Sequence, residues 1–371
     1  MMKNNTPFFA NRNDRTLYMH DGAANYLVAF ILQLILQLLF TIVLMATMTT
    51  DERIAFGNTY AYRIILIIVN EISIGLTPLF YSKVLGQNYY LDMGFKKKLS
   101  IAKIIMLIAI AFLTVAAFMP IAQVFFDMLV NTGYNTAKLT ILTVQTPAQL
   151  VIGIILFAIM PAIAEEILYR GMIARAFKKH SFILAIFLGG ALFALMHGSP
   201  AQLVHQFFLG CVCCIVYFST GSIYAPIIVH VVNNLIAVIG SYVLYIYSVN
   251  VTTLALVLMC VIGLILLVVA LFVFLKMCNK KVTLKTGFKN LEAIFAECFM
   301  NEEEKALKEK KDAEIKAKIE ATGMQEVGEV YMQTKQDMDA DEKSKGNKAL
   351  LLAFVFAAAI VVINTITGYM N

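Results

Sequence analysis

The sequence is poor in charge: only 15% of its 371 residues are Asp, Glu, Lys or Arg. A soluble domain carries roughly 25%. With 60% hydrophobic residues and a mean hydropathy of +0.77, a water-soluble globular chain would aggregate. The default class is therefore a polytopic membrane protein. Tryptophan is absent, but 26 Phe and 16 Tyr can supply interfacial anchors. Of the six cysteines only Cys211 and Cys214 stand at C-x-x-C spacing, inside an apolar run. Cys211, Cys213, Cys214 and Cys260 lie in apolar runs and read as small packing residues, not as a disulfide or zinc framework. No signal peptide is visible. The first 24 residues are polar, and the first apolar run is too long for a leader and lacks a cleavage site. It reads as a retained span. No internal repeat is found. The net charge of +6 needs no nucleic-acid partner, because basic loops of a membrane protein account for it.

What is present is a series of apolar runs of the length a bilayer demands, about 20 residues each. They are Tyr26–Met48, Arg63–Val84, Ile101–Phe125, Ala148–Arg175, Phe182–His197, Leu203–Thr220, Ile223–Tyr247, Thr253–Met277 and Ala349–Tyr369. The expected fold is an all-α polytopic bundle of about eight core spans, plus one C-terminal span. The expected organisation is a polar segment over 1–24, a bundle over 25–278, a charged helical insert over 279–348 and a last span over 349–371. A cytoplasmic N-terminus places Lys3, Arg12, Arg15, Lys83, Lys96–Lys98, Arg175, Lys178, Lys179 and the lysine-rich insert on the inner side. The outer side then holds little more than Arg53 and Lys138, which satisfies the positive-inside rule.

The insert, Lys280 to Asn347, contains NEEEKALKEKKDAEIKAKIEA, a solvated helix with Glu–Lys neighbours three and four apart. It reads as a linker to the last span, with a regulatory arm as the alternative. Phe288, Leu291, Phe295 and Phe299 recur just before it at near-helical spacing, beside Lys285 and Lys289. That pattern predicts a helix lying in the inner headgroup layer.

Ionisable residues at membrane depth cost at least about 2.5–3.5 kcal/mol each and mark function by default. They cluster here. The fourth run carries Glu165, Glu166 and Arg170, and the fifth ends on His197. The sixth holds Gln202, His205 and Gln206, and the seventh His230, Asn233 and Asn234. Glu166 and Arg170 are four apart and pair on one helical face, so Glu165 points elsewhere as the free carboxylate. Glu165 and His197 are 32 residues apart, equidistant from a turn at KKHS. Both fall roughly 20–24 Å from that turn and at the same depth. His230 and Asn234 share a face and can donate to one point, as an oxyanion hole requires. A carboxylate base assisted by a histidine can activate water against a carbonyl. These parts amount to a peptide-hydrolysing site without a Ser or Cys nucleophile. A proton- or ion-coupled transporter using Glu165 and His197 as a relay is the competing reading of the same residues. His205 with Gln202 and Gln206, and Gln33 with Gln37, read as interhelical hydrogen-bonding groups. Glu71 beside Asn70 reads as a paired interior group or as a liner of the substrate path.

EEILYR, FALMH and HVVNN fit the patterns EExxxR, FxxxH and HxxxN. In that order they resemble the CPBP family of intramembrane proteases, also called the CAAX protease or Abi family. Its eukaryotic member is the Ras converting enzyme, which removes three residues after a prenylated cysteine. The resemblance covers residues 147–248. It implies that Glu165 and His197 activate water, that His230 and Asn234 stabilise the oxyanion, and that Glu166 and Arg170 hold the first motif. The family has been described both as metalloproteases and as metal-free glutamate proteases. The expectation here is no cofactor, with zinc bound by Glu165, His197 and His230 as the alternative. The compact, loop-poor build suggests the cytoplasmic membrane of a bacterium. The implied partners are then the lipid bilayer and a membrane-anchored peptide or protein substrate. A non-proteolytic bacteriocin-immunity or partner-binding role is the alternative function. The insert and the last span are additions to the family core, with no role implied for them.

Overall fold

A computed structural model describes residues 17–84, 92–135, 144–178, 181–247, 252–279 and 347–367, with the single positions 282, 291, 294, 295, 313 and 369. Among these residues every regular element is a helix. In chain order they are α1 (Met19–Thr47), α2 (Thr50–Gly57), α3 (Tyr60–Val84), α4 (Ile101–Asn131), α5 (Pro147–Phe177), α6 (Phe182–Met196), α7 (Leu203–Thr220), α8 (Tyr224–Tyr247), α9 (Thr253–Cys278) and α10 (Asn347–Thr367). Several starts are set by a hydroxyl cap: Thr49, Ser100, Thr146, Ser181 and Thr252 each accept from a backbone N–H three residues on. Each such cap satisfies one of the donors left open at a helix N-terminus.

Among the described residues eight helices are long and apolar enough to cross a membrane, so the protein is an integral, polytopic helical bundle. The fifth apolar run is different. It forms α6, with 15 residues, about 22 Å against a hydrocarbon thickness near 30 Å. His197 closes the helix, Gly198 turns the chain at φ +61°, and Pro200 opens a short 3-10 turn that leads into α7. The α6–α7 hairpin therefore turns inside the thickness of the bundle, with His197 at its tip.

The helices meet at small residues. Gly22 of α1 packs on Ala176 of α5, Gly75 of α3 on Ala164 of α5, and Gly263 of α9 on the Ala116–Ala117 backbone of α4. With lipid as apolar as leucine, close backbone approach replaces the hydrophobic effect as the source of association. The tightest crossing is α6 on α7. A Cβ on Gly210 would stand 2.7 Å from Gly190 Cα, and one on Gly190 would stand 2.7 Å from Cys211 Sγ. Gly190→Leu is expected to separate the hairpin and sharply lower the yield of monodisperse protein on size-exclusion chromatography. Gly57→Leu, where a Cβ meets nothing within 4 Å, should leave the yield unchanged.

The core is centred on α5, where every residue from Leu168 to Phe177 is buried. Leu258, Val261, Ile265 and Val268 of α9, and Leu351, Val355 and Val362 of α10, are exposed apolar residues suited to lipid. Gln37 Nε2 donates to Asn70 Oδ1 at 2.8 Å and ties α1 to α3. Of the phenylalanine stripe at 288–299, Phe288 and Phe299 lie outside the described residues. Phe295 is buried, with its ring 5.9 Å from Phe182 and 6.2 Å from Phe218. The expectation of a headgroup-layer helix is corrected at this position. The aromatic base of the α6–α7 hairpin offers Phe295 a protein pocket that a stripe pattern cannot distinguish from lipid. The NEEEK segment lies outside the described residues, Ala313 excepted.

Candidate active site

Two turns of π-helix interrupt α5, at Ile154–Ile159 and Tyr169–Ala174. The first ends just before Pro161, whose ring cannot sit against a normal preceding turn. The second begins at the EEILYR motif. Such wide turns are rare and concentrate at functional sites. Between them, Met160–Leu168 is regular α-helix and carries both glutamates.

The two glutamates have different surroundings, as the helical spacing predicts. Glu166 is fully buried and Arg170 Nη1 donates to its Oε1 at 2.7 Å. Arg170 Nη2 donates to the Gly210 carbonyl of α7 at 2.9 Å, and the guanidinium lies 4.8 Å from the Phe193 ring centre. One cation thus joins α5, α6 and α7. Glu166 Oε1 takes a second bond, from His230 Nδ1 of α8, at 2.8 Å. The side chain of Glu165 remains 12% exposed against 0% for Glu166. Its Oε2 has no hydrogen-bond partner and lies 3.8 Å from His230 Nε2. His230 therefore bridges the two carboxylates, bonded to the structural one and facing the free one.

His197 reaches the same region from the tip of α6. Its Nδ1 lies 2.9 Å from the Phe193 carbonyl. A carbonyl only accepts, so Nδ1 carries the proton and Nε2 presents a lone pair. The Phe193 ring stands edge-on between the two histidines, 5.0 Å from His197 and 5.5 Å from His230. Glu165, Glu166, Arg170 and His230 are thus joined directly between α5 and α8, and His197 of the α6 end meets them through the Phe193 ring.

Asn234 lies one residue beyond the pair that ties α8 to α7. His205 Nε2 donates to Asn233 Oδ1 at 2.8 Å, and Asn233 Nδ2 donates to Asn234 Oδ1 at 3.1 Å. With its oxygen engaged as an acceptor, Asn234 keeps its Nδ2 protons for another partner. His205 thereby orients Asn234 through Asn233. Glu71 of α3 is buried, one turn before Gly75, which packs on Ala164 of α5. The Oε2 of Glu71, together with the hydroxyls of Tyr26 and Tyr169, has no hydrogen-bond partner. The rings of Tyr26 and Tyr169 are 6.4 Å apart. These groups extend the polar lining from Glu165 toward α1 and α3.

Sequence reasoning placed neither the His230–Glu166 bond nor the Phe193 wedge. Phe193 is the first letter of the FALMH motif, so its signal was on the page without its role. Among the described residues, no three His, Cys, Asp or Glu side chains are grouped so as to hold a metal ion.

Residues 147–236 match the family model described as type II CAAX prenyl endopeptidase Rce1-like. No curated protein and no solved structure matches the chain. The matched segment begins with α5, runs through the α6–α7 hairpin and ends within α8, so it contains all seven motif residues. Over residues 147–236 the chain is thus similar to the Rce1-like CAAX endopeptidases, a match that supports a CPBP/CAAX-type intramembrane protease.

Proposed function

We propose that the protein is an intramembrane endopeptidase that hydrolyses a peptide bond of a membrane-associated protein or peptide, with Glu165 as general base. One observation carries this reading. Of two adjacent glutamates, Glu166 holds both Arg170 and His230 on its Oε1, with its Oε2 unpartnered, while Glu165 lacks the arginine and turns an unpartnered Oε2 toward His230 Nε2. A buried carboxylate left without a bond is expensive unless it has chemistry to do.

In the proposed reaction a water lies between Glu165 and the free Nε2 of His197. Glu165 takes a proton from it as the oxygen attacks the scissile carbonyl, and His197 accepts the water's other hydrogen bond. The carbonyl oxygen becomes an oxyanion held by Asn234 Nδ2 and by His230 Nε2. In this role His230 donates from both ring nitrogens, Nδ1 to the Glu166 carboxylate and Nε2 to the oxyanion. The C–N bond then breaks as the proton on Glu165 passes to the leaving amine. Hydrolysis restores the starting protonation states. Donors fixed in advance around the oxyanion supply the electrostatic stabilisation.

The reading is metal-free. Reconstituted wild type incubated with a membrane-protein extract should generate new peptide termini at the same rate with and without 1,10-phenanthroline, and metal analysis should find no stoichiometric zinc. Loss of cleavage with the chelator, restored by zinc, would overturn that part of the mechanism. The distribution of Lys and Arg supports a cytoplasmic N-terminus, and the compact, loop-poor build is read as that of a bacterial cytoplasmic-membrane protein. Residues 279–348 are read as a linker between the bundle and the last span. The overall function is tested by the same cleavage experiment with Glu165→Gln, in which the new termini should disappear.

A further inference from the structure

The last span, α10, lies outside the family-matched segment, yet it reaches the site. Ala353, Ala357, Ile360 and Asn364 follow one another by four, three and four residues and form a single stripe. Ala353 and Ala357 are fully buried, and Phe356 packs edge-on against Phe30 of α1 at 5.5 Å. At the far end the Tyr369 and Thr132 hydroxyls are 2.7 Å apart, which fixes α10 beside the end of α4. Between these anchors Asn364 Nδ2 donates to the carbonyl of Gly198 at 2.7 Å. A Cβ on Gly198 would lie 3.0 Å from that nitrogen and 3.7 Å from Ile360 Cγ2, so α10 is seated directly on the turn.

Gly198 follows His197 in the turn that ends α6. A helix end leaves carbonyls without intrahelical partners, and at membrane depth no bulk water satisfies them. The Gly198 carbonyl is satisfied from α10. At the opposite end of the same hairpin, Phe295 packs against Phe182 at the start of α6 and Phe218 near the end of α7. The chain after residue 279 thus grips the hairpin that carries His197 at both its base and its tip.

We propose that the C-terminal extension positions the catalytic hairpin, with Asn364 setting the His197–Gly198 turn. The proposal rests on the reading of His197 as a site residue. Asn364 touches no reacting group and acts through the turn as a positioning residue. When its bond is removed, the Gly198 peptide is free to rotate, and the Nε2 of His197 loses its fixed direction. Misplacement of a catalytic group by about 1 Å lowers turnover by about 10²-fold.

Asn364 is an exposed residue, so its replacement leaves the core packing in place. The test uses the full chain in lipid nanodiscs with isotope-labelled histidine. Asn364→Leu and Asn364→Ala remove the donor, and Asn364→Gln retains it. Amide exchange at His197 and Gly198 should rise by about tenfold or more in the first two variants and stay within about threefold of wild type in the third. The His197 ring-nitrogen signals should shift in Leu and Ala and return in Gln, while exchange in α5 and α8 is unchanged. On any substrate the wild type cleaves, kcat should fall with KM unchanged. Wild-type exchange and signals in both donor-less variants would overturn the proposal. So would a loosened turn with an unmoved His197 signal, or loosening of the whole bundle in both, since the bond would then serve only the fold. If the wild type cleaves nothing while the His197 signals move as expected, the peptidase reading fails and the coupling of α10 to the turn stands.

Discussion

Glu165→Gln is expected to leave a folded protein whose cleavage activity is lower by about 10²–10⁴-fold, the range set by general acid–base catalysis. Gln has nearly the shape of Glu but cannot take a proton from water. The substitution removes no hydrogen bond to Oε2 and weakens only the long 3.8 Å contact with His230 Nε2. Melting temperature in detergent should therefore stay close to that of wild type while activity collapses. This separation of stability from turnover distinguishes a chemical carboxylate from a structural one. Full cleavage of a verified substrate by Glu165→Gln would make the mechanism wrong.

Breaking the neighbouring ion pair should have the opposite signature. Glu166→Ala leaves the fully buried Arg170 without its carboxylate and His230 Nδ1 without its acceptor. Arg170→Ala leaves Glu166 charged and buried, and also removes the link to the Gly210 carbonyl. Removing one partner of a buried pair costs about 3–5 kcal/mol, whereas replacing both by well-packed apolar side chains is often close to neutral. Each single variant should lose about that much stability and its activity with it. The double variant Glu166→Leu/Arg170→Met should recover most of the stability and none of the activity, because His230 has lost the acceptor that orients it. Equilibrium unfolding in mixed micelles reads the first quantity, and terminus formation from a membrane extract reads the second. Single variants as stable as wild type would show that the pair does not hold the site.

The spans were legible because a membrane helix needs a long apolar run, and nothing else in the chain has one. The Glu166–Arg170 pair was legible for a local reason, since residues four apart share a helical face. The shortness of α6 was less so. Its apolar composition runs unbroken to Met196, and the stop is set by the turn at Gly198 and Pro200. The bond from His230 to Glu166 spans 64 residues and depends on how α8 packs on α5, which no local pattern encodes. The same holds for Arg170 to Gly210 and for Phe193 between the two histidines. Phe295 was placed in lipid because an aromatic stripe beside lysines looks alike whether it faces headgroups or an aromatic pocket. His205 was legible as an interhelical hydrogen-bonding group, whereas the identity of its partner, Asn233 of α8, was not. Asn364 was overlooked: a single polar residue near the end of an apolar run carries no pattern, and its meaning comes from the turn beneath it.

The most direct test of Glu165 as the base of an intramembrane peptidase is comparative membrane proteomics of cells carrying wild type or Glu165→Gln, reading N- and C-terminal peptides. The account predicts at least one new terminus in a membrane-associated protein with wild type, absent with Glu165→Gln at equal expression. Identical termini in both, with any protective phenotype of the protein surviving the substitution, would contradict it and assign the bundle to binding.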